Sequence, residues 1–161
     1  MKKNYAALLL VFTLVLVLSA CGSKTEKAKD PGLTTTQMAD QMLKKVEQPQ
    51  LMEVEPDLIK SQFHLDPALL DQSTIRMPLM NVKTNEIAIL KVKDAKDLAT
   101  VQASLKQRAT DVQKQFEHYL PDQYENAKNY KIVTEGNYVF YVISDKADTL
   151  VGIFQGFFTG K

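Results

Sequence analysis

The side chains that most often perform catalysis or bind metals are scarce in this sequence of 161 residues. It contains one cysteine, Cys21, and two histidines, His64 and His118. A single cysteine excludes an internal disulfide and a multi-cysteine metal site, and two imidazoles are few ligands for zinc or copper. The sequence also lacks the Gly-x-Ser-x-Gly, His-Glu-x-x-His, P-loop and Gly-x-Gly-x-x-Gly motifs. We therefore expect no catalytic residue, no metal site and no cofactor.

Three other groups of residues could carry chemistry or recognition, and for each we favour a structural explanation. Glu53, Glu55 and Asp57 alternate like calcium ligands. They lack the glycine turn and the distal glutamate of an EF-hand loop, so we interpret them as a solvated linker. We interpret the two histidines as surface residues, with a shared metal site as the alternative. The last group forms either a turn between helices or a recognition corner, and comprises Tyr119, Pro121, Gln123 and Tyr124.

Cys21 follows a segment that is typical of secretion signals. Lys2 and Lys3 precede an apolar run at residues 6–18 that only Thr13 interrupts. These 13 residues are too few to span a bilayer comfortably, which takes about 20 residues of helix. A positively charged start followed by an apolar run of this length predicts a signal peptide.

The apolar run ends in Leu18-Ser19-Ala20-Cys21, which resembles the lipobox of bacterial lipoproteins. In that family the cysteine thiol receives a diacylglyceryl group, and a dedicated signal peptidase cuts the chain just before it. The resemblance implies that acylated Cys21 attaches the mature protein to the lipid bilayer, on the extracytoplasmic face of the cell membrane. Each buried methylene group contributes about 0.8 kcal/mol, so two or more acyl chains anchor a protein stably. The alternative is an uncleaved anchor helix in which Cys21 is a buried apolar residue.

These features divide the chain into three parts. Residues 1–20 form the predicted signal peptide, and residues 21–33 form the lipidated N-terminus and a flexible polar tether. Residues 34–161 are expected to form one domain, since the sequence is 45% hydrophobic and 24% charged, as in ordinary globular proteins. Without the signal peptide, 18 basic residues remain beside 19 acidic ones. A near-neutral chain has no electrostatic footprint for nucleic acid.

Hydrophobic periodicity predicts several helices. A capping box at Thr34 and Gln37 begins a first helix that ends at Pro49. The clearest signal is a long amphipathic helix capped by Asp94, because apolar residues recur every three or four positions after it. A last helix starts at Asp145. The apolar stripe of the long helix consists of Leu98, Val101, Leu105, Ala109, Val112, Phe116 and Tyr119.

Alternating apolar residues predict two β-hairpins. Strands at residues 74–79, where Pro78 favours an edge position, and 86–93 form the first hairpin. Strands at residues 130–135 and 138–143 form the second. With the helices they predict an α+β fold, a single domain with an antiparallel sheet of about four strands and flanking helices. Each hairpin is followed by Asp-x-x-Asp and an amphipathic helix. The fold contains either two similar halves or two independent helix starts with the same capping chemistry.

Three segments of the chain, in their order along the sequence, form a recognisable set of motifs. They are residues 86–94, the motif Phe116-Glu117-x-Tyr119-Leu120-Pro121-x-Gln123-Tyr124, and Gly136-Asn137-Tyr138-Val139. Together they resemble the small uncharacterised lipoproteins of low-GC Gram-positive bacteria that carry a domain-of-unknown-function label. The resemblance covers residues 36–155 and implies an extracytoplasmic, membrane-anchored protein. It carries over no catalytic residue, ligand or cofactor.

The strand at residues 138–143 is apolar on both faces, although side chains alternate along a strand and a half-exposed strand would be polar on one side. Two explanations are open. Either helices cover both faces of the sheet, or one face is exposed and binds a partner. In the second case Tyr138 and Phe140 would be the anchors, since aromatic residues dominate the energetics of many interfaces.

The sequence therefore predicts a membrane-anchored, extracytoplasmic lipoprotein. Its domain is expected to be a non-catalytic module that binds an envelope protein or another envelope component. A small-ligand-binding lipoprotein is one alternative, although a domain of this size is small for a two-lobed solute trap. An envelope-acting hydrolase is the other, because pairs of catalytic acids form in space rather than in sequence.

Overall fold

The computed structural model describes residues 30–159, so Cys21 and the predicted signal peptide lie outside it. The strands are β1 (Leu51–Glu53), β2 (Leu70–Pro78), β3 (Glu86–Val92), β4 (Lys131–Glu135) and β5 (Tyr138–Ile143). The helices are α1 (Thr35–Lys45), α2 (Pro56–Phe63), α3 (Leu98–Phe116), α4 (Pro121–Lys128) and α5 (Ala147–Gly156). Among residues 30–159, none of the helices has the length and apolar character needed to cross a membrane.

The predicted α+β class and both hairpins are confirmed, but the sheet has five strands rather than about four. All neighbours are antiparallel, in the order β1-β2-β3-β5-β4. The additional strand, β1, has only three residues, too few to show an alternating pattern. Because β1 pairs with β2 on its outer side, Pro78 lies at the end of an inner strand, and the predicted edge position is wrong.

Helices cover both faces of the sheet, and each layer has its own hydrophobic core. α2, α3 and α4 pack on the first face, where their apolar residues meet Val139, Tyr141 and Ile143 of β5. α1 and α5 pack on the second face, where they meet Tyr138 and Phe140. Successive side chains of β5 therefore enter two different cores, which explains why this strand is apolar throughout.

The expectation of an open partner-binding face at Tyr138 and Phe140 is corrected by this arrangement. Phe140 is fully buried, and its ring stacks on that of Phe154 with 4.9 Å between the centroids. The ring of Tyr138 meets that of Phe158 edge to face at 5.2 Å. Both residues belong to the second core, because α1 and α5 occupy the face that the sequence left open.

Local capping chemistry sets the boundaries of the helices. The predicted capping box is present: the backbone N–H of Gln37 donates to the Thr34 hydroxyl at 3.1 Å, and the Gln37 side chain accepts from the Thr34 N–H at 2.9 Å. Asp94 caps a short 3₁₀ turn that leads into α3. α3 ends at Phe116, so Tyr119 lies beyond it and is 56% exposed. Tyr119 therefore does not belong to the predicted core stripe.

The two hairpin-plus-helix segments are not a structural repeat. The β2–β3 hairpin is followed by α3 on the first face, and the β4–β5 hairpin is followed by α5 on the second. A twofold rotation that exchanged the two antiparallel hairpins within the sheet would place both helices on the same face. The shared Asp-x-x-Asp pattern is therefore explained by independent helix starts, where acidic residues are favoured.

Candidate functional site

Two clefts open at the end of the sheet where β1, β3 and β4 begin. The first, the methionine cleft, has a volume of about 380 Å³ and is lined by residues that include Met52, Leu58, Met77, Leu79 and Met80. The second, the polar cleft, has a volume of about 550 Å³ and is lined by residues that include Gln48, Asn85, Asp122, Gln123 and Asn126. Lys83 lines both clefts, so they adjoin.

Most of the exposed large apolar side chains in the described residues lie around the methionine cleft and form its rim. Met52 is 47% exposed and Met80 is 66% exposed. In the described part of the chain six large hydrophobic residues are exposed, and five of them line this cleft or the small apolar pocket beside it: Met52, Leu58, Leu79, Met80 and Val82. Because soluble monomers rarely expose contiguous apolar patches, this rim is the strongest candidate for an interaction surface.

Strand pairing positions the methionines of this cleft. Met52 in β1 lies directly opposite Met77 in β2, so the two side chains share one face of the sheet. β2 ends at Pro78, and Met80 lies in the bend that follows. The cleft thus depends on β1, the strand that the sequence pattern did not reveal.

A buried ion pair forms the floor of the methionine cleft. Glu86, the first residue of β3, accepts two hydrogen bonds from Arg108 of α3: Nε donates to Oε2 at 3.0 Å, and Nη2 donates to Oε1. Arg108 also donates to the carbonyl oxygen of Gln62, and its guanidinium lies 4.8 Å from the ring centroid of Phe63. The hydroxyl of Tyr141 is 3.5 Å from Glu86 Oε2. The pair therefore links β3 to α2 and α3 beneath the cleft.

Burial and the charge of Arg108 shift the pKa of Glu86 in opposite directions. Burial raises the pKa of the Glu86 carboxyl, although the hydrogen bonds and the positive charge of Arg108 oppose the rise. Burial also raises the pKa of the Tyr141 hydroxyl, and the charge of Glu86 adds to that rise. Arg108 engages both oxygens of Glu86, which leaves no free oxygen to act as a general base. We interpret the pair as a structural anchor.

A network of amides and hydroxyls shapes the polar cleft. The side-chain oxygen of Gln123, in α4, accepts from the backbone N–H of Thr84 at 3.1 Å. The side-chain oxygen of Gln48 accepts from the Asn85 amide and from the Ser144 hydroxyl, both at 3.0 Å. These bonds join α4, the segment after α1 and the end of β5 to the residues just before β3. The amide groups around the cleft are therefore held in fixed orientations.

The polar cleft carries charges of both signs. Asp122 and Asp145 supply carboxylates, and Lys83 and Lys146 supply ammonium groups. The hydrogen bond from the Gln123 side chain holds the pKa of Asp122 below its ordinary value, and the charge of Lys83 lowers it further. Fixed amides beside charges of both signs suit a small polar ligand with hydrogen-bond donors and acceptors.

The two histidines lie beside different acids, Asp111 and Glu117. The Nε2 atom of His64 lies 2.5 Å from an Asp111 carboxylate oxygen, and Gln107 donates to the other oxygen. Burial raises the pKa of Asp111, but these hydrogen bonds outweigh it and lower the pKa overall. His118 is almost fully exposed beside Glu117. Among residues 30–159, no three His, Cys, Asp or Glu side chains are grouped so as to hold a metal ion.

Sequence patterns predicted few of the residues that line the two clefts. Of the proposed recognition corner, Gln123 lines the polar cleft, whereas Tyr119 lines neither cleft. A signal for the ion pair does exist. Arg108 falls on the apolar stripe of α3, three residues after Leu105. Glu86 shares its strand face with three apolar residues, Ala88, Leu90 and Val92. A charged residue on each of two apolar faces is a pattern that predicts a buried pair.

No curated protein and no solved structure matches this chain. The model of the family described as Domain of unknown function (DUF4358) matches residues 44–144. The matched segment covers more than half of the chain. It contains the whole lining of the methionine cleft and all of the polar-cleft lining except Asp145 and Lys146. The chain therefore belongs to the DUF4358 family.

Proposed function

We propose that the protein is a membrane-anchored extracytoplasmic lipoprotein of the low-GC Gram-positive type, whose domain binds another envelope protein through the methionine cleft without catalysing a reaction. Support for the anchor comes from the charged start, the apolar run and the Leu18-Ser19-Ala20-Cys21 motif. In this proposal Cys21 carries fatty acyl chains, palmitate among them. The residues that follow it form a tether that holds the domain above the bilayer.

The observation that carries the binding role is the concentration of exposed apolar side chains at one end of the sheet. Met52, Leu79 and Met80 surround a cleft whose floor is fixed by the Glu86–Arg108 pair. Methionine side chains are flexible and adapt to the shape of what they contact. An adaptable rim over a rigid floor suits an apolar segment of a partner protein, which would fill the cleft as an anchor.

The chemistry of the described residues supports binding rather than catalysis. The carboxylate nearest to the methionine cleft, Glu86, is engaged on both oxygens by Arg108. His64 and His118 lie on the surface beside different acids. A hydrolase needs a general acid or base that reaches the substrate. In the methionine cleft the carboxylate of Glu86 is held by Arg108, and the carboxylates of Asp122 and Asp145 line the polar cleft instead.

Photo-crosslinking in intact cells tests the binding role. A photo-reactive residue in place of Met80 is expected to form an adduct with one defined envelope protein, because position 80 lies on the exposed rim. The same residue in place of Lys106, which is exposed on α3 away from both clefts, is expected to form none. Mass spectrometry of the adduct identifies the partner.

A second change makes this test specific. Leu79→Asp places a charge on the exposed rim and is expected to abolish the adduct at position 80, while the far-UV circular dichroism stays unchanged. The binding role is wrong if positions 80 and 106 give the same adducts, or if the adduct survives Leu79→Asp.

The anchor is tested at Cys21, the only thiol in the sequence. Cys21→Ala is expected to accumulate as a precursor of higher mass that incorporates no labelled palmitate, because the acyl acceptor is missing. Gel mobility and metabolic labelling measure both effects against the parent protein. Normal processing and normal labelling of the variant would contradict the lipoprotein assignment.

A second candidate role, the binding of a small polar ligand, is favoured by the polar cleft. Its volume of about 550 Å³ lies in the range of small-molecule sites, and its amides are held by internal hydrogen bonds. Screening amino sugars and amino acids for a rise in melting temperature tests this role, with Asn85→Ala as the comparison variant.

A further inference from the structure

Three of the five methionines in the described residues line a single cleft. Met38 and Met42 are buried in the second core, whereas Met52, Met77 and Met80 line the methionine cleft. Core packing explains the first two, and Met77 is half-buried against the first core, but Met52 is 47% exposed and Met80 is 66% exposed. Core packing alone therefore does not account for three thioethers around one cleft.

The register of the sheet brings two of these thioethers together. Met52 and Met77 are direct cross-strand partners in the antiparallel β1–β2 pair. The Cβ atoms of such partners lie about 4.5–5.5 Å apart, and both side chains extend several bonds further. Their sulfur atoms can thus reach a common point on one face of the sheet. Met80, in the bend after β2, lines the same cavity and supplies a third sulfur.

The chemistry of the cleft selects a soft ion. Soft sulfur ligands such as thioethers favour Cu(I) among biological metals. The charged side chains among the described lining residues are Lys83, Glu86 and Arg108, and the last two are bound to each other. This lining offers no imidazole, no thiol and no free carboxylate, so calcium, magnesium and zinc find no ligand set there.

We propose that Met52, Met77 and Met80 form a Cu(I) site in which three thioether sulfurs coordinate one ion. Binding changes no oxidation state and releases no proton from the ligands, because a thioether has no ionisable hydrogen. The proposal does not rest on the proposed partner binding, although Met52 and Met80 belong to both sites.

Competition with the chromophoric chelator bicinchoninate under anaerobic conditions tests the site. The full chain carrying Cys21→Ser, which removes the only thiol, is purified in detergent and titrated with Cu(I). It is expected to withdraw one Cu(I) per chain from the chelator. Met52→Leu, Met77→Leu and Met80→Leu are each expected to weaken the affinity by about tenfold or more, because changes even beyond the ligands cost 10–100-fold at metal sites.

Leucine keeps the size and apolar character of methionine but has no sulfur, so these variants separate metal binding from packing. Met42→Leu, in the second core, is the matched control and is expected to bind Cu(I) like the parent. The proposal is overturned if the parent does not compete with bicinchoninate, or if the three cleft variants bind as tightly as the parent. Because Met52→Leu preserves the apolar rim, it is expected to keep the crosslink at position 80. The copper proposal can therefore fail while the partner-binding proposal stands, and the reverse.

Discussion

Arg108→Met is expected to lower the free energy of unfolding by about 3–5 kcal/mol, because it leaves the buried Glu86 carboxylate without its cationic partner. Methionine retains much of the aliphatic volume of arginine, so the loss reflects an uncompensated charge rather than a cavity. Denaturation with urea near pH 7 measures the difference from the parent protein.

The stability that Arg108→Met loses relative to the parent is expected to become smaller as the pH is lowered. Without Arg108, burial raises the pKa of Glu86 further, so the folded state binds a proton more tightly than the unfolded chain does. A carboxyl with a raised folded-state pKa costs stability as the pH rises, since ionisation is easier in the unfolded chain. The free energy of unfolding of the variant is therefore expected to be closest to that of the parent at about pH 5 and furthest from it at about pH 8.

A double variant, Glu86→Leu with Arg108→Met, is the matched control. Its stability is expected to approach or exceed that of the parent, because two apolar side chains of similar volume replace the pair without a buried charge. If the single and double variants instead show the same deficit at every pH, the loss comes from packing, and the pair does not act as a charged anchor.

Phe140→Ala is expected to lower the free energy of unfolding by about 3–5 kcal/mol, the usual range for truncating a buried phenylalanine. Phe140 is fully buried in the second core and stacks on Phe154 of α5. The cavity would open between the sheet and the two helices that cover this face. Thermal and urea denaturation measure the loss.

Tyr119→Ala provides the comparison for an aromatic residue outside the cores. Tyr119 is largely exposed beyond the end of α3, so we expect a change of about 0.5 kcal/mol or less. Equal and small losses at positions 119 and 140 would mean that the second face is open in solution. Such a result would restore the partner-binding role that the sequence suggested for Phe140.

The sequence predicted the parts of the fold that depend on local chemistry. The spacing of Val101, Leu105 and Val112 predicted the long helix and its buried face, because a 3.6-residue period is a property of the helix alone. The capping box at Thr34 and the hairpin turn at Gly136 are likewise determined by a few adjacent residues. Their detection requires no knowledge of distant contacts.

The two clefts could not be predicted in this way. Met52 and Met77 meet only because β1 pairs with β2, and a three-residue strand shows no periodicity. Gln48 and Ser144 are bridged across 96 residues by one hydrogen bond. Each of these contacts depends on the order of strands in the sheet, which follows from packing rather than from any local pattern.

The layer formed by α1 and α5 has a mechanical consequence. α1 is held to the sheet by the hydroxyls of Thr35 and Thr74, 2.9 Å apart, and by the ion pair of Asp40 with Arg76 at 3.0 Å. In the proposed anchoring, the end of the chain before α1 is fixed to the membrane, so any pulling force enters the domain at this helix. Such a force would detach α1 before it loads the strands, and the second-core residues of β3, Ile87 and Ile89, would be uncovered while the first core is still intact.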